Sequence, residues 1–128
     1  MNRAVLEGIC YHLRWMLECE AKKEKTSDPI RFVGGGALSP VTCQMLADIT
    51  GQTVETIDST QSVGAIGTAL TVAAGVKGVD VLELSHRLVK ENHAYVPDPR
   101  NKEIYERNYS VFKKLYRDNA PNFMALNA

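Results

Sequence analysis

The chain has 128 residues, 45% of them hydrophobic and 23% charged, with 15 lysines and arginines balanced by 15 aspartates and glutamates. This is the composition of one ordinary globular domain, and the balanced charge creates no field that would draw it to nucleic acid or to an anionic membrane. No apolar run approaches the roughly 18 residues that span a bilayer, and the N-terminus lacks a basic-then-apolar leader. The expected compartment is the cytoplasm, with neither nucleic acid nor membrane as a partner.

Residues 3–19, RAVLEGICYHLRWMLEC, open the chain with a helical period, placing Val5, Leu6, Ile9, Cys10, Leu13, Met16 and Leu17 on one broad face. The polar run AKKEKTSDP at 21–29 ends in a proline and reads as a solvated connection. Residues 30–33, IRFV, supply a strand, followed by the consecutive glycines Gly34, Gly35 and Gly36. Ser39 and Pro40 then pair a hydroxyl N-cap with a proline at the first helical position, and the helix they start should end near Gly51. Residues 53–57 form a second β-prone run. The helix between the two runs is long enough for a right-handed crossover to a parallel neighbour, which makes one βαβ unit.

A helix over about 61–75 is crowded with small residues, SVGAIGTALTVAAG. Asp80 and Glu83 form a capping-box pattern ahead of Val81, Leu82, Leu84, Leu88 and Val89. Asp98 and Pro99 repeat the cap-plus-proline signal before a last helix carrying Ile104, Tyr105, Phe112, Leu115 and Tyr116. The fold class is therefore α/β, with about five helices and a βαβ unit of two parallel strands. Two strands make an incomplete sheet. Either a partner chain completes it or the sequence is the C-terminal part of a longer protein, and the second is the expectation. An unfinished sheet edge, together with the 61–75 helix, offers surface for a homo-oligomer.

Cys10, Cys19 and Cys43 are odd in number and have no metal-ligand spacing, so buried reduced thiols are expected. His12, His86 and His93 share no ligand spacing and read as surface or satisfied residues. Tyr105, Tyr109, Phe112 and Tyr116 recur at helical spacing, more typical of a core stripe than of a base-stacking platform.

The glycines carry the functional signal. They stand at the carboxyl end of a strand and ahead of a helix N-terminus, where open parallel sheets bind ligands and where free N–H groups favour anions or polar ring atoms. Neither GxxxxGK[ST] nor GxGxxG with an acidic ribose partner is present. A nucleotide-binding loop and a tight strand-to-helix turn are both consistent with the pattern.

Taken in order, RAVLEGICYHLR, IRFVGGGALSPVTCQMLADITGQTV, VGAIGTAL and the late Tyr105/Tyr109 pair resemble the C-terminal lobe of the FGGY carbohydrate kinases over roughly residues 2–117. Within the family the sequence is most similar to xylulose kinase-like members. The resemblance implies a partial actin-like (ribonuclease H-like) lobe: residues 1–128 form the C-terminal part of the second, nucleotide-binding lobe, and 78–128 its helical extension. It also implies ATP with Mg2+ as cofactor and a sugar substrate, xylulose or a related ketose, held mainly by parts of the family fold outside this chain.

By the same resemblance Gly34, Gly35, Gly36 and Ala37 form the adenosine loop, with glycine backbone beside the ribose and α-phosphate. Ser39 stands where relatives place a polar residue against adenine, although its hydroxyl also has a capping role. Gln44 is a further candidate for that pocket. Gly64, Ala65 and Gly67 match a small-residue helix that packs near the other lobe, or else pack on their own sheet. Asp48 matches a recurrent family position and reads as a structural hydrogen-bonding residue. No catalytic residue and no metal ligand is expected in this chain, since no stretch resembles the family's DxGT-type phosphate loop and the base aspartate belongs to an earlier part of the fold. Two functional readings remain: the nucleotide-binding portion of an ATP-dependent sugar kinase, inactive alone, or a free-standing interaction or adenine-nucleotide module.

Overall fold

The computed structural model describes residues 2–25 and 27–127, and its main core is built around one helix. The helices are α1 (Asn2–Glu20), α2 (Pro40–Thr50), α3 (Val63–Lys77), α4 (Val81–Leu88), α5 (Lys102–Asp118) and α6 (Ala120–Leu126). The strands are β1 (Ile30–Arg31), β2 (Val54–Ile57) and β3 (Glu91–Tyr95), in the order β1-β2-β3. β1 runs parallel to β2, pairing Ile30 with Val54 and Arg31 with Glu55, so the predicted βαβ unit is present.

The expected sheet of two parallel strands is corrected by β3, which pairs antiparallel with β2, setting Val54 opposite Tyr95 and Thr56 opposite His93. Its sequence, ENHAY, has no apolar alternation, and only Tyr95 is partly buried. Backbone pairing rather than side-chain burial holds this strand, so hydropathy cannot reveal it. The segment after residue 78, expected to be a helical extension, thus contributes a strand. It also carries two helices beyond α4, making six described helices rather than about five.

The α2 helix starts and stops where its sequence says it should. Ser39 has extended backbone and its Oγ accepts from Thr42 N at 3.3 Å, with Pro40 opening the helix. Gly51 closes it in the left-handed conformation at φ 71°, donating its N–H to Ala47 O. Between these caps Cys43, Met45, Leu46, Ala47 and Ile49 are all buried, which requires cover on every side. The sheet covers one face through Val54; α1 covers another through Cys10 and Tyr11, and α5 a third through Tyr105 and Tyr109. Burying a Leu- or Ile-sized side chain contributes about 1.5–3 kcal/mol, so this helix carries much of the fold's stability.

A polar cluster fastens the three helices. Arg14 donates from Nε to Glu18 at 3.1 Å, from Nη1 to Ile49 O at 2.9 Å and from Nη2 to Glu106 at 3.0 Å, joining α1, the last turn of α2 and α5. Tyr109 donates its hydroxyl to Glu18 at 2.8 Å, and the Arg14 guanidinium lies 4.1 Å from the Tyr109 ring centroid. Burial alone would raise the Glu18 carboxyl, but the bonds from Tyr109 and Arg14, with Lys113 nearby, outweigh it and hold the group below its ordinary value.

The α1 face differs from the periodicity. Cys10 and Tyr11 are buried, but Val5, Ile9 and Met16 are exposed, so the covered stripe is turned towards Tyr11 and Trp15. Of the cysteines, Cys10 and Cys43 are buried as expected, whereas Cys19 is exposed. The α3–α4 pair stands apart: Leu70 is the one buried residue of α3, and α4 has none. A Cβ placed on Gly64 or Gly67 would meet nothing within 4 Å, so these glycines do not pack on the chain's own sheet.

Candidate functional site

The three glycines have three different structural explanations. Gly34 has φ 90° and ψ −169°, a conformation that L side chains rarely adopt, and its N–H is shared between Thr60 O at 3.1 Å and Thr60 Oγ1 at 3.0 Å. Gly36 sits under an aromatic ring, and a Cβ there would lie 2.9 Å from Phe32 Cζ. Gly35 has neither constraint: its φ is not positive, it is exposed, and a Cβ on it would meet nothing within 4 Å. The fold therefore requires glycine at 34, favours it at 36 and has no use for it at 35.

After Gly34 the chain winds through a 3-10 turn, Gly35–Leu38, and Ala37 N donates to Gly34 O at 3.1 Å. Ala37 is buried, and its carbonyl accepts from the Cys43 thiol at 3.5 Å. Burial pushes that thiol's pKa up, keeping it a neutral donor that ties the turn to α2. Among the described residues nothing accepts from the N–H groups of Gly35 and Gly36, which open the 3-10 turn. Ser39 uses its oxygen to cap α2, and its hydroxyl hydrogen remains free to donate.

Gln44 lies one turn further along α2. Its Nε2 donates to Asp48 Oδ1 at 2.8 Å and to Val96 O at 2.8 Å. Asp48, buried as the structural residue its position suggests, also accepts from Asp98 N at 2.8 Å and from Asn101 Nδ2 at 2.8 Å. One carboxylate thus straps the segment after β3 to the helix that follows the glycine loop.

Two clefts flank this region. One, of about 480 Å3, lies beyond the carboxyl ends of β1 and β2, with Ala37, Leu38 and Pro40 on one side and Thr60 and His93 on others. The second, of about 460 Å3, runs along α2 past Pro40, Val41 and Gln44 to Asp48, Asn101 and Tyr105. Pro40 and Tyr95 line both. The structure brings Ala37 to the first cleft and Gln44 to the second, while Gly34, Gly35, Gly36 and Ser39 line neither.

Sequence reasoning passed over Thr60 and Tyr95. The signal for Thr60 was its place at the end of the second β-run, two residues after an acidic one and opposite the glycines across a parallel pair. Tyr95 had no signal, because the strand that carries it was not legible. His12, His86 and His93 are exposed, and among the described residues no three His, Cys, Asp or Glu side chains are grouped to hold a metal.

Residues 1–76 match the C-terminal domain of the FGGY family of carbohydrate kinases. The chain is 34% identical over 120 residues to a xylulose kinase of Lactococcus lactis, covering 91% of this chain and 24% of that protein. It superposes on the crystal structure of a xylulose kinase from Rhodospirillum rubrum with a TM-score of 0.74 at 25% identity, over 95% of this chain and 25% of that one. A gluconate kinase structure from Lactobacillus acidophilus shares the fold with a TM-score of 0.73 at 22% identity, over 94% of this chain and 24% of that one. The architecture is thus part of an actin-like lobe, and the chain spans about a quarter of the length of the curated relatives it matches.

Proposed function

The chain belongs to the FGGY family of carbohydrate kinases, and from that premise we propose that it forms the adenosine side of the active site of an ATP-dependent sugar kinase working in the cytoplasm. The nucleotide supplies the transferred phosphoryl group, with Mg2+ spreading its charge, and a sugar hydroxyl accepts it. Xylulose or a related ketose is the proposed acceptor, because the relatives at 34% and 25% identity are xylulose kinases. This chain's own residues bind and orient; the phosphate turns and the base that activates the sugar hydroxyl are assigned to other parts of the family fold.

The observation that carries this reading is Gly35, a glycine that neither backbone conformation nor packing within the chain explains. An absent side chain there lets ligand atoms reach the backbone of the turn, where the N–H groups of Gly35 and Gly36 have no acceptor among the described residues. Gly34 holds the turn in shape, Ala37 closes its inner side, and the Ser39 hydroxyl can donate to a ring nitrogen while its oxygen keeps capping α2. Gln44 contributes from the second cleft.

Gly35→Val is the informative substitution, because a Cβ at this position meets nothing within 4 Å in the folded chain. Chemical-shift mapping with ADP should show perturbations clustered at residues 34–44 in the parent and lost in Gly35→Val, with both giving the same circular dichroism spectrum. ADP binding equally well to the folded variant would remove the adenosine-loop reading.

We also propose that the chain self-associates. The open edge of β1 and the exposed apolar surface of α3, where Val72 is 57% and Val76 79% exposed, support this. Light scattering should give a mass that rises with concentration; a constant monomer mass would rule it out.

A further inference from the structure

We infer that Gln44 reads the nucleobase through its carbonyl oxygen, so that the site accepts bases with an amino group at the purine 6-position or its pyrimidine 4-equivalent, such as adenine, and rejects those with a keto group there. The inference rests on the adenosine-loop reading above and adds base discrimination to it.

The argument starts from the amide's partners. Both hydrogens of Nε2 are taken, one by the Asp48 carboxylate and one by the Val96 carbonyl, each at 2.8 Å. Carboxylate and carbonyl oxygens only accept, so they determine which end of the amide is nitrogen. A flipped amide would set its oxygen against two acceptors and forfeit two hydrogen bonds, one of them to a charged group. Oε1 is then the one uncommitted atom of the Gln44 amide among the described residues, on a residue that lines the second cleft.

Asp48 is itself immobilised, since it accepts from Asp98 N and Asn101 Nδ2 as well as from Gln44. The strap therefore holds a lone acceptor about one helical turn beyond Pro40, the residue this cleft shares with the cleft at Ala37 and Leu38. A base entering past Pro40 meets a hydrogen-bond acceptor that cannot rotate into a donor. The 6-amino group of adenine donates to it. The 6-keto oxygen of hypoxanthine or guanine faces it acceptor to acceptor, which forfeits the bond and sets two acceptors against each other. The 4-amino group of cytosine carries the same donor, so the discrimination is amino against keto rather than purine against pyrimidine.

The test compares ADP with inosine diphosphate, which differ at this position, by chemical-shift titration of the whole chain. In the parent, ADP should bind roughly ten-fold more tightly, the equivalent of one well-placed hydrogen bond. Gln44→Met keeps the side chain's length and removes the amide, so the ratio should fall towards one while ADP still perturbs residues 34–39. Loss of fold alone would weaken both ligands together and leave the ratio unchanged. Equal binding of the two nucleotides by the parent, with shifts at 34–39, overturns the Gln44 inference and leaves the adenosine loop standing. A Gln44→Met variant that gives the parent's circular dichroism spectrum and keeps the parent's ratio also overturns it. ADP that leaves 34–39 undisturbed in the parent removes both readings. The parent titration decides even where Gln44→Met does not fold.

Discussion

Helices α2 and α3 follow similar-looking stretches of sequence into opposite environments. Both are apolar and both sit after a strand, yet α2 buries six residues and α3 buries only Leu70. α2 lies between a sheet and two helices that its own chain supplies, whereas α3 packs chiefly on α4, with a cleft of about 420 Å3 lined by Ile66, Ala69, Leu70, Ala73, Leu84 and Leu88. An all-round apolar helix states a need for partners, and composition does not say whether the same chain provides them.

The sharpest way to break this comparison is to truncate one leucine in each region. Leu46→Ala on α2 removes a side chain that is 2% exposed from a tightly surrounded site, and should cost about 3 kcal/mol in denaturant unfolding. Leu84→Ala, on the partly exposed α4, should cost less than about 1 kcal/mol. Similar costs at the two sites would mean that the α3–α4 pair is as integral to the core as α2.

A smaller effect probes the fastening of α1 to α5. Tyr109→Phe removes the bond to Glu18 while leaving the ring in place, and should cost about 1 kcal/mol at neutral pH. Glu18 is held below its ordinary value in the fold, so its contribution is fully present above the unfolded pKa of about 4.3 and is lost as pH falls through the lower folded value. The gap between parent and Tyr109→Phe should therefore close in acid. A gap that stays constant down to about pH 3 would assign the loss to packing instead.

The smallest perturbation distinguishes core from surface by chemistry. Burial pushes the Cys10 thiol up to about 11, and Cys43 is also raised by burial, while Cys19 is exposed. A thiol reagent at pH 8 should titrate one cysteine in the native chain and all three in denaturant. Fast reaction at a second cysteine in the native state would show that the core around α2 opens readily.

Much of this was legible beforehand because it is local. Ser39, Pro40 and Gly51 bound α2 through cap and turn chemistry that operates within a few residues, and Asp80 caps α4 through Leu82 N and Glu83 N in the same way. The parallel pairing of β1 and β2 also follows from local elements, given the length of the connecting helix. The illegible parts are relations between distant residues. β3 is polar and is held by backbone pairing to β2, α1 turns its face to meet α5 aromatics about a hundred residues away, and Asp48 finds Asp98 and Asn101 across fifty residues of chain.

The glycine loop divides along the same line. Sequence alone determined that a glycine run stands between a strand and a capped helix, since strand propensity, the Ser-Pro start and the run itself are properties of adjacent residues. Only the tertiary structure decided that Gly34 answers to Thr60, Gly36 to Phe32 and Gly35 to nothing in the chain. It decided as well that Gln44 is held by Asp48 and Val96, one of them 52 residues away. The reason is physical: backbone conformation is set by neighbours in sequence, but the space around a missing side chain and the free end of an amide are set by neighbours in space.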